Sequence, residues 1–238
     1  MAGAPLPENS DALGVSAVGV SKAFGARQVL TDVTLKVPPA TVCAVEGRNG
    51  AGKTTLMRAL SSIVIPDTGK ITINGFDTQR APLRARASVG LALVNERSLE
   101  WRLTATSNLQ LWAAIRGIAR RDMRRVIDEA LASVGLTDQG NQSVFALSSG
   151  QRHRLVLARA MLGDPPVLLI DEPLRGLDAP SIELVLAALQ QRQQAGACVI
   201  VAAPQLDELA TIAQMRLGID DTGRLAKTDL STTEPASA

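Results

Sequence analysis

The feature that most constrains this chain is the passage from a short apolar run, TVCAVEG, into RNGAGKTT at residues 41–55. The run is rich in β-branched residues and ends in glycine, as expected of a strand buried on both faces. Gly47-Arg48-Asn49-Gly50-Ala51-Gly52-Lys53-Thr54 then matches G-x-x-x-x-G-K-S/T in full, with a helix predicted to follow. The glycines let the backbone curl until successive N–H groups face one anion. The helix adds its positive N-terminal end. Candidate phosphate-binding residues are Gly47, Asn49, Gly50, Ala51, Gly52, Lys53, Thr54 and Thr55. In such a loop the Lys53 ammonium reaches the β- and γ-phosphates and the Thr54 hydroxyl ligates Mg²⁺.

A second run, Val167-Leu168-Leu169-Ile170, ends in Asp171-Glu172. A buried strand that terminates in carboxylates delivers charge to the sheet edge where ligands sit. Asp171 is placed to hold Mg²⁺, directly or through water, and Glu172 to polarise an attacking water.

Strands and helices alternate around these two runs. Val29, Val33, Leu35 and Val37 alternate along one strand, which Pro38-Pro39 stops. A strand pair is expected near Lys70–Asn74 and Ser88–Val94. Ser107 to Val134 carries helical spacing and is split by Gly117. A helix from Ser149 to Leu162 ends at Gly163-Asp164-Pro165-Pro166. The last third reads as strand Val167–Ile170, helix Ser181–Gln194, strand Cys198–Ala202, helix Leu206–Ala213, and a strand pair over Met215–Leu225 turning at Gly223. This pattern predicts an α/β sheet with a helical insertion. Residues 1–14 and 229–238 read as a flexible leader and tail flanking one domain, 15–228.

Composition removes several function classes. Lys+Arg 25 against Asp+Glu 23 leaves +2, so nothing favours direct nucleic-acid binding. His153 is the only histidine, which excludes a multi-histidine metal centre. That residue reads as a solvated helix position. Cys43 and Cys198 lie inside apolar runs and read as small core residues. No stretch of 18 apolar residues and no secretory leader is visible, which places the chain in the cytoplasm, with any membrane role peripheral.

A third motif, Leu147-Ser148-Ser149-Gly150-Gln151, opens the helix that starts near residue 149. Ser148 can cap that helix, and free N–H groups gather there as at any anion-binding helix start. The order GRNGAGKTT, LSSGQ, VLLIDEP, then Gly176-Leu177-Asp178, resembles the ABC-type ATPases, the nucleotide-binding subunits of ATP-binding cassette transporters. The resemblance covers roughly residues 15–225. It implies a P-loop NTPase of the ABC ATPase type: a RecA-like core sheet, an N-terminal antiparallel β subdomain, and a helical subdomain over about 96–162. It also implies ATP and Mg²⁺ as cofactors. Two such domains, identical or different, are expected to close head to tail. Each ATP then lies between one phosphate loop and the other subunit's Ser148, Ser149, Gly150 and Gln151. Phe24 occupies the place of the family's adenine-stacking aromatic; its other reading is a strand-edge core residue. Asp178 resembles the acid that crosses between subunits, and it also fits an N-cap.

The chain departs from the family at several positions. Asn95 stands where a glutamine is usual, so its amide reaches about 1.5 Å less far toward Mg²⁺ or water; Glu96 is the adjacent acid. Pro204 stands where a histidine usually touches the γ-phosphate, and it offers neither side-chain donor nor N–H. Arg48 and Ser149 replace the usual proline and glycine; Arg48 either adds charge near the phosphates or points into solvent. These changes predict a site that binds Mg-ATP and turns it over slowly. ERSLEWRLTATSNLQLW resembles the same region of exporter-type ATPases whose membrane permease is a separate subunit. Trp101, Leu103, Leu109, Leu111 and Trp112 are candidates to line the groove for it, or to fill the helical region's core.

Overall fold

The structure, a computed structural model, describes residues 14–93, 98–205 and 208–227. Its chain runs through β1 (Val15–Phe24), β2 (Arg27–Val37), β3 (Thr41–Glu46), α1 (Lys53–Leu60), β4 (Thr68–Ile73), β5 (Phe76–Asp77), α2 (Pro82–Ala87) and β6 (Val89–Ala92). It continues through α3 (Ala105–Ile115), α4 (Arg120–Ser133), α5 (Ser149–Met161), β7 (Val167–Asp171), α6 (Ala179–Gln194), β8 (Cys198–Ala203), β9 (Met215–Ile219) and β10 (Leu225–Lys227).

Two sheets organise these elements. A six-stranded sheet has the order β10-β9-β3-β8-β7-β6, parallel from β9 to β6, with β10 antiparallel at its edge. The second is an antiparallel sheet, β2-β1-β4-β5. The strands nearest the centre of the first sheet are the ones whose sequences are unbroken apolar runs. Val42 to Val45, Val167 to Ile170 and Cys198 to Ala202 are all buried, as strands covered on both faces must be. Strand β2 instead alternates, with Leu30, Val33, Leu35 and Val37 inward.

One core lies between the two sheets around α1 and includes Leu56, Met57, Leu60, Ile71 and Ile73. The other fills the space between the parallel sheet and α3 to α6, with Leu109, Ile127, Leu155, Leu157 and Leu189. Gly117, at φ +73°, separates α3 from α4 as its sequence position predicts. Gly223, at φ +74°, turns β9 into β10.

Three expectations need correction. Residues near 70–74 and 88–94 both form strands, but not with each other. Strand β4 joins the antiparallel sheet, whereas β6 pairs in parallel with β7. Helix α2 intervenes, with Pro82 inside its first turn, and β6 (VGLA) fits the covered parallel sheet. The helix expected over Leu206–Ala213 is a single 3₁₀ turn, Leu209–Thr211, among the described residues; positions 206 and 207 lie outside them. Gln214, just past this turn, is tied to the sheet, exchanging backbone and side-chain bonds with Val42. His153, read as solvated, is half-buried on α5.

Candidate functional site

The carboxyl ends of β3 and β7 and the start of α1 converge on one cavity of about 350 Å³. Strand β3 delivers the glycine-rich loop. Gly47 has no room for a Cβ, which would stand 2.5 Å from Ile219 Cγ2 and 2.6 Å from its carbonyl oxygen. Gly52 adopts φ +109°, and a Cβ there would stand 2.7 Å from the Val29 carbonyl oxygen. These two glycines fix the path of the loop. The N-terminus of α1 has no side-chain cap, so its positive end is left facing the cavity.

Asn49, Gly50, Gly52, Lys53, Thr54 and Thr55 line the cavity. Gly47 and Ala51 shape the loop, and Ala51 N–H closes a turn onto the Arg48 carbonyl at 3.1 Å. The Lys53 ammonium donates to the carbonyls of Gly47 (2.5 Å) and Arg48 (3.0 Å). Its charge is thereby held over the loop, where an anion would compete for it.

The Thr54 hydroxyl donates to Asp171 Oδ2 at 2.5 Å, tying α1 to the end of β7. Asp171 is 5 % exposed, and its other oxygen, Oδ1, has no hydrogen-bond partner. Burial pushes the Asp171 carboxyl above the usual carboxylate range; the Thr54 hydrogen bond acts in the opposite direction. An orphaned buried carboxylate oxygen beside a threonine hydroxyl is a hard-oxygen donor set that fits a divalent cation such as Mg²⁺.

Glu172 follows with φ +48°, a backbone conformation rare for a side chain of this size. Its N–H donates to the Ala202 carbonyl at 2.7 Å, which holds the turn as the chain leaves the sheet. The side chain then faces both this cavity and a neighbouring one of about 420 Å³, also lined by Asn49, Arg175 and Pro204. There the Glu172 carboxylate accepts a hydrogen bond from Arg175 Nη1 at 3.2 Å.

Phe24 sits at the cavity rim, 52 % exposed, with the Lys22 ammonium 5.5 Å from its ring centre. It is not a core residue. An exposed ring beside the glycine-rich loop offers a flat face for an aromatic base. Two basic residues at the site were not picked out from the sequence. Arg27 pairs with Phe24 across the β1–β2 hairpin and donates to the Gly50 carbonyl at 3.3 Å. Arg175 is the second; its spacing of three from Glu172 and the glycine after it were the available signals.

The signature residues stand apart from the cavity. Ser148 caps α5, accepting from the Gln151 N–H (3.1 Å), while Gln151 Oε1 accepts from the Ser148 N–H (2.8 Å), a complete capping box. Ser149 and Gly150 open the helix. Asp178 is an N-cap, accepting from the Ser181 N–H at 3.1 Å, and its hydrogen bonds with Ser181 hold its carboxyl below the usual range. Asn95 and Glu96 lie outside the described residues. Arg48 points outward and pairs loosely with Asp221 at 3.4 Å.

Of the expected groove residues, Trp101, Leu103 and Leu111 are exposed. Leu109 is fully buried and Trp112 packs on the helical core, so these two are structural. Their positions in α3 turn them toward α4 and α5. Both cysteines are buried on β3 and β8, where burial pushes each thiol up to about 12.

Among known proteins, a family model described as "ABC transporter" matches residues 30–175. The chain is 31 % identical over 185 residues to the ABC transporter ATP-binding protein NatA of Bacillus subtilis, covering 78 % of this chain and 75 % of that one. It is 35 % identical over 207 residues to the daunorubicin resistance ATP-binding protein DrrA3 of Streptomyces coeruleorubidus, covering 87 % of this chain and 65 % of that relative's length. A solved structure of an ATP-binding subunit of an ABC transporter superimposes with a TM-score of 0.83 at 26 % identity, covering 91 % of this chain and 90 % of that one.

Proposed function

We propose, for a chain that belongs to the ABC transporter ATP-binding family, that it binds Mg-ATP and hydrolyses it to drive a separate membrane permease, as one subunit of a two-ATPase assembly. The observation that carries this reading is the single cavity in which Lys53, Thr54 and Glu172 meet, with Thr54 joined to Asp171 at 2.5 Å and Phe24 on the rim. Each part has a chemical task. The uncapped start of α1, the loop N–H groups and Lys53 take the β- and γ-phosphates. Thr54 and Asp171 are the residues that would hold Mg²⁺, which supplies charge neutralisation at the phosphates when bound. Glu172 orients water for attack on the γ-phosphorus. Phe24 stacks on adenine.

The signature end of α5 does not line this cavity, so its Ser148, Ser149, Gly150 and Gln151 are assigned to the ATP of a second subunit. The assembly sits on the inner face of the membrane. Among the described residues no helix is long and apolar enough to cross a membrane; a separate permease chain is part of the proposal. Export rather than import is part of this proposal, and what supports it is the likeness of ERSLEWRLTATSNLQLW to the same region of exporter-type ATPases.

One observation favours a second reading, a slow ATP-gated subunit working beside a more competent partner. Pro204 lines the cavity at Glu172 and brings no donor. Loss of one transition-state donor costs a factor of about 10² to 10³ in rate. ATP hydrolysis by the purified chain, alone and with its membrane subunit, tests both readings against Glu172→Gln as blank. Turnover above the blank supports a motor. Turnover equal to it, with Mg-ATP still bound, supports the gated clamp. No nucleotide binding at all would sink both.

A further inference from the structure

We propose that Arg175 is a catalytic residue, the cation that contacts the γ-phosphate on the side of the site where Pro204 leaves no donor. The inference rests on the nucleotide-site reading above and deepens it.

Arg175 stands in the turn between Glu172 and Asp178. Its N–H closes onto the Glu172 carbonyl at 3.3 Å, and Gly176 follows at φ +70°. The turn aims the guanidinium back at the end of β7, where Nη1 lies 3.2 Å from Glu172 Oε2. The cavity they share is also lined by Asn49 of the phosphate loop, by Pro204 and Gln205 past β8, and by Glu208. Among the described residues that line it, Arg175 is the only cation. Lys53 lies on the other side of Glu172, in the neighbouring cavity.

Phosphoryl transfer spreads negative charge over the equatorial oxygens of the γ-phosphoryl group, and catalysis there consists of positioning and of charge stabilisation. The water that Glu172 orients attacks from the Glu172 side, so the oxygens next to that carboxylate need a donor. Pro204 has none. A guanidinium can supply two parallel N–H bonds and stays charged throughout. The Arg175 side chain is 68 % exposed, so it is free to move, and its link to Glu172 is a single long hydrogen bond. Nucleotide arrival therefore exchanges a weak carboxylate contact for a γ-phosphate contact. The same exchange releases Glu172 to hold water. The water oxygen bonds to the γ-phosphorus as the bond from that phosphorus to the β–γ bridging oxygen breaks; the water's proton leaves toward Glu172, ADP and inorganic phosphate are the products, and Arg175 neither gains nor loses a proton.

The test compares the Mg²⁺ complexes of ADP and of the non-hydrolysable analogue AMP-PNP, by calorimetric titration of the full chain. Only AMP-PNP carries a γ-phosphate. In Arg175→Ala the preference for AMP-PNP over ADP should fall about tenfold, the low end for a charged hydrogen bond, while ADP affinity holds. Arg175→Lys, which keeps charge without the fork, should retain part of the preference. An unchanged ratio in Arg175→Ala, with both nucleotides still binding, would overturn the assignment and leave Arg175 as a partner of Glu172 alone. Equal loss of both nucleotides would overturn it as well, as damage to the loop. If the unsubstituted chain bound neither nucleotide, the nucleotide-site reading itself would fall and take this assignment with it.

Discussion

At the scale of single residues, Asp171 shows how one side chain couples folding to function. Burial raises its carboxyl pKa, so the folded chain holds that proton at a pH where the unfolded chain has released it. Stability from this group is therefore greatest below the ordinary aspartate range and declines as pH rises through the raised value. The nucleotide-free chain should gain thermal stability relative to Asp171→Asn as pH is lowered through that window, and a melting series across pH reads it directly. The same substitution should remove the extra stabilisation that Mg²⁺ gives to bound ATP, since a neutral amide replaces the free Oδ1. A flat difference across pH would mean Asp171 is hydrated in solution. Pro204 offers a complementary residue-level test. In an Arg175→Ala background, Pro204→His places an imidazole donor in the same cavity and should recover part of the lost preference for a γ-phosphate. No recovery would mean the two positions serve different phosphate oxygens. The acids and the loop were legible in the sequence because each needs a fixed spacing. Arg175 was not, because its contact with Glu172 depends on how the turn after β7 folds back.

Among the elements, two helices share one device for different ends. The Thr104 hydroxyl caps α3 by accepting from the Ser107 N–H at 3.1 Å, and Ser148 caps α5 in the same way. Removing either cap costs about 1 kcal/mol, which lowers the melting temperature by about 2–4 °C in a chain of this size. Thr104→Ala should stop there, leaving ATP turnover intact. Ser148→Ala should lower turnover as well, because Ser148 is assigned to the second subunit's ATP. Equal turnover in the two variants would show α5 to be an ordinary capped helix. The elements most readily read were those with a strict period or a hard stop. Gly117 between α3 and α4, and the Gly163-Asp164-Pro165-Pro166 stop after α5, behave as their chemistry dictates. The short elements escaped, since the six residues of α2 carry too little periodicity to register. The 3₁₀ turn at Leu209–Thr211 also escaped, because three residues carry no helical period.

For the whole molecule, the two cores on either side of the parallel sheet hold the phosphate loop against β7 while leaving the start of α5 outside the cavity. Such a half-site predicts ATP-dependent self-association or pairing with a related subunit. Glu172→Gln with Mg-ATP should sediment as a dimer, and Gly150→Asp should abolish that dimer while leaving ATP binding in the monomer. A Cβ at Gly150 meets Leu177 Cδ2 at 3.4 Å and Ser148 Oγ at 4.0 Å, both ordinary contacts with side chains, so the substitution does not threaten the fold. A dimer unaffected by Gly150→Asp would place the interface elsewhere. By itself the sequence determined the glycine-rich strand–loop–helix, the acidic end of β7, and the α/β class, because these follow from local backbone demands and from burial periodicity. Only the tertiary structure decided that β4 and β6 part into different sheets, that Leu109 and Trp112 are core and Phe24 is not, and that Arg175 and Pro204 share a cavity with Glu172. Those outcomes depend on contacts between segments far apart in the chain, which spacing and composition do not encode.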